Sequence, residues 1–159
     1  MGVAGAFRIR SFEPDDAEAL SRLISMTLRT SNADDYRSDA LSRIEAEFSP
    51  SGLRTLAKQR RIFVAVEGAT IVGTASVVGN WVHAVFVHPL TQRRGLGRQL
   101  METLESHAST HGERWLGLYA SVGAVPFYQT LGWRIEREHQ SEDIGRLVEM
   151  SKPLRRKVR

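Results

Sequence analysis

Gln92, Gly95 and Gly97 stand at Gln-x-x-Gly-x-Gly spacing, directly after the apolar run Val85-Phe86-Val87 and Pro89 and directly before a helical pattern. This arrangement suits an anion. The first amide N–H groups of a helix have no intrahelical partner, and the aligned peptide dipoles put about half a positive charge there, so a phosphate satisfies both. Gly95 and Gly97 let the chain turn and let an anion approach the main chain. Arg93, Arg94 and Arg98 sit where phosphates would lie, or form a solvated helix face. Two other phosphate motifs are excluded. No Gly-Lys-Ser/Thr closes the loop, and Gly-x-Gly-x-x-Gly fails because position 100 is Leu.

The elements around this loop follow from periodicity. Leu96, Leu100, Leu104 and Ala108 recur at i+4, and Gly112 stands where a C-cap belongs, so a helix runs from the loop to about residue 111. Upstream, residues 7–10 read as a short strand, and Pro14 opens a helix with Ala17, Leu20, Ile24 and Leu28 on one face. Residues 38–48 form a second helix, and Ser49-Pro50 caps a third. Three strands follow at 61–67, 71–78 and 81–87, joined by Gly68-Ala69-Thr70 and Gly79-Asn80, so they pair antiparallel. Strand, loop, helix and strand from 81 to 120 make a βαβ crossover, which sets residues 82–87 and 115–119 parallel, with a ligand expected beyond their carboxyl ends. A short helix and strands at 133–138 and 145–152 complete the chain.

A second block carries information. Ala124-Val125-Pro126-Phe127-Tyr128-Gln129-Thr130-Leu131-Gly132-Trp133 is a short helix with a Phe-Tyr pair, followed by Leu-Gly-aromatic entering a strand. Together with Gln92 to Gly97, and in the same order, it resembles motifs A and B of the GNAT superfamily of acetyl-CoA-dependent N-acetyltransferases. The resemblance spans about residues 7–152. It implies an α/β (α+β) fold with a mixed, mostly antiparallel central sheet of about six to seven strands, about four to five flanking helices and a βαβ acetyl-CoA-binding unit. It also implies direct transfer of an acetyl group to a primary amine in a ternary complex.

Such chemistry needs a base to free the amine lone pair, a donor for the developing oxyanion, and an acid for the departing thiolate. His83 resembles the family's base or water-relay residue. A histidine titrating near about 6.5 is largely neutral at pH 7, and the alternative is a half-exposed strand residue alternating with Ala84 and Val85. His88, of opposite parity and beside Pro89, reads as a loop-edge residue. Tyr128 matches the tyrosine that protonates the coenzyme thiolate, and its alternative is a ring packed beside Phe127. The resemblance implies that the paired strands splay apart here, leaving a backbone amide near Phe86 and Val87 for the oxyanion and placing the pantetheine arm along Val85, Phe86 and Val87, with Gln92 to Arg98, Ser121, Phe127 and Tyr128 as further coenzyme contacts. Ser121 departs from the usual Asn; a hydroxyl reaches less far than an amide and predicts weaker coenzyme binding.

Composition sets limits. The chain has 159 residues, 42% of them hydrophobic, enough for one core, which predicts a single domain over 1–154 and a basic tail over 155–159. Cysteine is absent, excluding a thiolate metal site or cysteine nucleophile. His107 and His111 lie at i, i+4 without an evident third ligand, so no metal is expected. No apolar run approaches the roughly 20 residues of a membrane span, and no signal peptide is evident. A cytoplasmic protein is expected. Of the net charge of +4, Arg155, Arg156, Lys157 and Arg159 supply all; the body holds 18 basic against 18 acidic residues. Nucleic acid is therefore not an expected partner. Asp34, Asp35 and Asp39 beside Tyr36 would suit a cationic small-molecule or peptide amine, or cap the helix at Ser38; Trp81 lines the acceptor groove or closes a hairpin. The family resemblance allows a homodimer. A non-catalytic acyl-CoA sensor of the same fold is the alternative function.

Overall fold

The computed structural model describes residues 6–30, 36–142 and 144–155. Asp34, Asp35 and the tail from Arg156 lie outside the described residues. Seven strands form one sheet: β1 (Arg8–Ser11), β2 (Arg61–Glu67), β3 (Thr70–Val78), β4 (Trp81–Val87), β5 (Trp115–Ser121), β6 (Arg134–Ser141) and β7 (Gly145–Pro153). Their spatial order is β1-β2-β3-β4-β5-β7-β6. All neighbours are antiparallel except β4 and β5. The five helices are α1 (Ala17–Thr30), α2 (Ser38–Glu47), α3 (Pro50–Leu56), α4 (Leu96–Thr110) and α5 (Val125–Thr130). This is an α+β fold. None of the described helices is long and apolar enough to cross a membrane.

Strand alternation divides the core between two faces. On one, Leu96, Leu100, Met101 and Leu104 of α4 pack on Phe63, Ala65, Val82 and Leu118, joined by Val125 and Tyr128 of α5. On the other, Leu20, Ile24 and Leu28 of α1 and Leu53 of α3 cover Ile62, Val64, Ile71 and Phe86. That second cluster draws its strand residues from β2, β3 and β4 only. The same face of β5 therefore keeps Trp115 and Tyr119 43% and 47% exposed.

Local capping agrees with the sequence at α3, where the Ser49 hydroxyl accepts from the Gly52 N–H at 3.1 Å. Before α1, the chain makes a 3₁₀ turn over Pro14–Asp16, and the Asp16 carboxylate accepts from the Glu13 N–H at 2.7 Å and from both Arg10 terminal nitrogens at 2.8 and 3.0 Å. The Arg10 hydrogen bond holds the buried Asp16 carboxyl below its ordinary value. Asp16→Asn is expected to lower unfolding free energy at pH 7 by about 1.5–3 kcal/mol, the range for hydrogen bonds to a charged group. The stabilisation exists above the ordinary aspartate pKa and disappears as pH falls through the depressed one, so denaturant titrations of the two proteins should converge in acid.

Candidate active site

The parallel contact between β4 and β5 is short. Trp81 faces Gly117, and the Gly117 N–H donates to the Asn80 carbonyl at 2.8 Å; no further β4–β5 pair exists among the described residues. The strands splay from that vertex toward Val87 and Ser121. The two strands are parallel, as the crossover requires, but share a single register pair, and the β4 edge beyond it has no ladder partner among the described residues.

A β-bulge aims the β4 side chains. Thr74 pairs with Phe86 and Ser76 with His83, so Ala84 and Val85 together oppose Ala75, and Ala84 takes φ +53°. Simple alternation would put His83 with Val85. Instead Val85 and Val87 pack with the α4-side core, while His83, paired with Ser76, faces the α1 side with Ala84 and Phe86. The parity argument for His88 fails for the same reason, although its loop-edge role stands: its Nδ1 accepts from the Leu90 N–H at 3.1 Å.

At the open end of the splay, Arg93 (φ +66°) and Gly95 (φ +82°) adopt left-handed conformations and turn the chain into α4. No side chain caps this helix. Its first rung is the Gln99 N–H to the Gly95 carbonyl at 3.1 Å, so the amides of Leu96, Gly97 and Arg98 have no intrahelical acceptor. Gly97 also serves packing. A Cβ there would lie 2.9 Å from Cζ of Phe127, so the glycine seats α5 against the start of α4. Leu96 is buried, leaving only its main chain for a ligand. Arg93 and Arg98 are exposed, whereas the Arg94 guanidinium pairs with Glu67 at 2.6 Å and lies 4.9 Å over the Phe7 ring. The Gln92 side-chain amide donates to the Val87 carbonyl at 3.3 Å, tying loop to strand. Ser121 ends β5 on the far arm.

His83 and Tyr128 occupy opposite sides of the sheet. His83 is half-buried, and desolvation, helped by the charge of Arg60, pushes its pKa below 6.5. Its imidazole is neutral at pH 7 and able to accept a proton. Tyr128 packs edge-on to Phe127 and Trp133 in the α4-side core, and burial lifts its pKa well above the ordinary phenol value. The hydroxyl stays protonated, and it is better suited to donating a hydrogen bond than to ending as a buried phenolate. His107 and His111 are elsewhere on α4, the first against Phe63 and the second contacting the His107 carbonyl at 2.8 Å.

Gly117, Tyr119 and Arg60 were not singled out from the sequence. A signal existed for two of them: Trp115, Gly117 and Tyr119 alternate on β5 opposite Leu116 and Leu118, which marks a second, solvent-facing set.

A splayed parallel pair with an uncapped helix N-terminus at its open end agrees with the acetyl-CoA-binding unit that the sequence resemblance implies. A family model described as Acetyltransferase (GNAT) domain matches residues 32–154, and the chain belongs to that family. It is 24% identical over 138 residues to an uncharacterized N-acetyltransferase, YafP, of Escherichia coli (strain K12), covering 87% of this chain and 88% of the relative. Among solved structures it resembles a GCN5-related N-acetyltransferase from Rhodopseudomonas palustris, with TM-score 0.83, 23% identity and coverage of 92% and 95% of the two chains. It also resembles the PaiA N-acetyltransferase from Thermoplasma acidophilum in complex with coenzyme A, with TM-score 0.74, 18% identity and coverage of 91% and 98%.

Proposed function

We propose that this acetyltransferase transfers the acetyl group of acetyl-CoA to a primary amine by direct attack in a ternary complex. The observation that carries the reading is the β4–β5 splay with bare helix amides at its open end; a neutral half-buried histidine lies on the α1 side of the sheet and a buried tyrosine in the α4-side core. Acetyl-CoA supplies a thioester whose carbonyl carbon is the electrophile. The amides of Leu96, Gly97 and Arg98, with the side chains of Arg93 and Arg98, hold its phosphates. The unpaired β4 edge over Val85 to Val87 holds the pantetheine arm as an added strand and presents an N–H to the carbonyl oxygen. His83 takes the proton of the incoming ammonium on the α1 face. Tyr128 donates a hydrogen bond toward the departing sulfur from the α4 face. The fit is therefore two-sided: the amine enters from one face of the sheet and the leaving group is held from the other. No residue is assigned a covalent acyl role, and the protein is proposed to act in the cytoplasm.

The test is mass spectrometry of amines incubated with the protein and acetyl-CoA, alongside thiol release. Acetylated amine with no acetylated protein supports direct transfer; binding of acetyl-CoA with no turnover of any amine would favour the sensor. His83→Gln is expected to lower kcat/KM by about 10²-fold. Because the His83 pKa is depressed, the wild-type rate should rise with pH through a value below 6.5 and be flat at pH 7, and the variant should lose that limb.

A further inference from the structure

Beside the vertex of the splay, on the face that α1 to α3 leave open, lies a groove of about 320 Å³. Sheet register explains its shape. Trp81, Gly117, Ser151 and Arg134 form one cross-strand row, and Tyr119, Glu149 and Arg137 the next. Ser151 lines the groove, and Gly117 underlies Trp81. Trp81 lies over Gly117, where a Cβ would come within 2.8 Å of its Cζ3, so the indole is held by a glycine it could not share with any other residue. Trp115 meets Trp81 edge-on at 5.8 Å, and Tyr119 stacks on it at 5.3 Å with 9° between planes. Indoles thus form one wall and the guanidinium groups of Arg134 and Arg137 the other.

The charges in the groove are balanced. Arg137 pairs with Glu149 at 3.3 Å, the Ser151 hydroxyl donates to Glu136, and Arg134 has no ion pair among the described residues. No net negative charge is left to select a polycation. What the two walls share is geometry: indole and guanidinium both bind flat π systems through their faces. The volume is at the small end of ligand pockets and suits one or two rings. The groove borders the candidate base along β4, because Trp81, which lines it, and His83 share a strand face two residues apart, about 6.6 Å.

Resting on the acetyltransferase reading above, we propose that the acceptor is an amine bearing a planar aromatic group, its ring held in this groove and its nitrogen reaching His83 across one row of the sheet. Trp81, Trp115 and Arg134 are then specificity determinants. The closest discriminating pair of probes is 2-phenylethylamine and 2-cyclohexylethylamine, equal in length and apolar, differing in planarity, with spermidine as the polycation.

Wild-type kcat/KM should favour phenylethylamine over cyclohexylethylamine by about tenfold or more, and Trp115→Ala should collapse that ratio toward one through KM with the acetyl-CoA Kd unchanged. Equal rates for the two amines, a preference for spermidine, or a ratio untouched by Trp115→Ala would overturn the proposal. Indole N–H resonances of the CoA-mixed protein give a readout independent of turnover. Shifts at Trp81 and Trp115 on adding phenylethylamine, without change at the buried Trp133, support the groove as the ring site; their absence at millimolar amine overturns it. Failure of the acetyltransferase reading itself would show separately, as absence of acetyl-CoA binding.

Discussion

Tyr128→Phe is expected to lower kcat by about 10²-fold while leaving the acetyl-CoA Kd within about twofold. The substitution isolates the hydroxyl. Tyr128 is 8% exposed, its ring wedged between Phe127 and Trp133, and phenylalanine keeps both ring contacts. If the residue only packed, losing a buried hydroxyl would leave turnover intact or slightly stabilise the fold. If it serves the departing thiolate, the loss falls on the chemical step. Steady-state kinetics beside a direct binding measurement separate the two, and a large affinity loss with normal kcat would assign Tyr128 to packing. The pH profile adds a second sign. Burial favours the neutral phenol, so Tyr128 should contribute no falling limb near pH 10, where an exposed tyrosine would ionise.

Leu100→Ala is expected to cost about 3–5 kcal/mol of stability, the range for emptying a fully buried leucine site. Leu100 is 0% exposed, and it rests on β3 where Gly73 lets α4 approach: a Cβ on Gly73 would lie 3.1 Å from both Leu100 Cδ1 and Leu96 Cδ2. Collapse of that seat is limited, since backbone and two helix turns already meet there. The same contact positions the start of α4, so the acetyl-CoA Kd should rise along with the loss of stability, in contrast to Tyr128→Phe. Chemical denaturation and acetyl-CoA titration of the variant check both parts; a cost under about 1 kcal/mol would mean that the helix repacks.

The turn into α4 was legible because its signals are local. A glycine at position 95 fits the positive φ found there, and the i+4 leucines place α4 to within a residue. The hairpins from β2 to β4 were legible from their turn residues. What escaped depends on residues far apart in sequence or on conformations that propensity does not announce. Nothing about alanine suggests φ +53°, so the bulge at Ala84 and the face it gives His83 could not be read from alternation. The splay is an absence of pairing between strands separated by a whole helix, so it was expected from the family resemblance and not from the residues themselves. Gly97 was read as a site of anion approach, and its demonstrated constraint is the ring of Phe127, thirty residues on. Arg94 looked available for phosphate, yet Glu67 and Phe7 engage it from β2 and the chain before β1. The candidate base and acid were named from a resemblance; only the folded chain puts them on opposite sides of the sheet.

The measurement that bears most directly on this account is calorimetric titration of the protein with acetyl-CoA and, in parallel, with CoA. Micromolar, one-to-one binding of acetyl-CoA, tighter than that of CoA, is the expected result. No heat of binding up to millimolar acetyl-CoA would contradict it, leaving the bare amides of α4 and the open β4 edge to some other ligand.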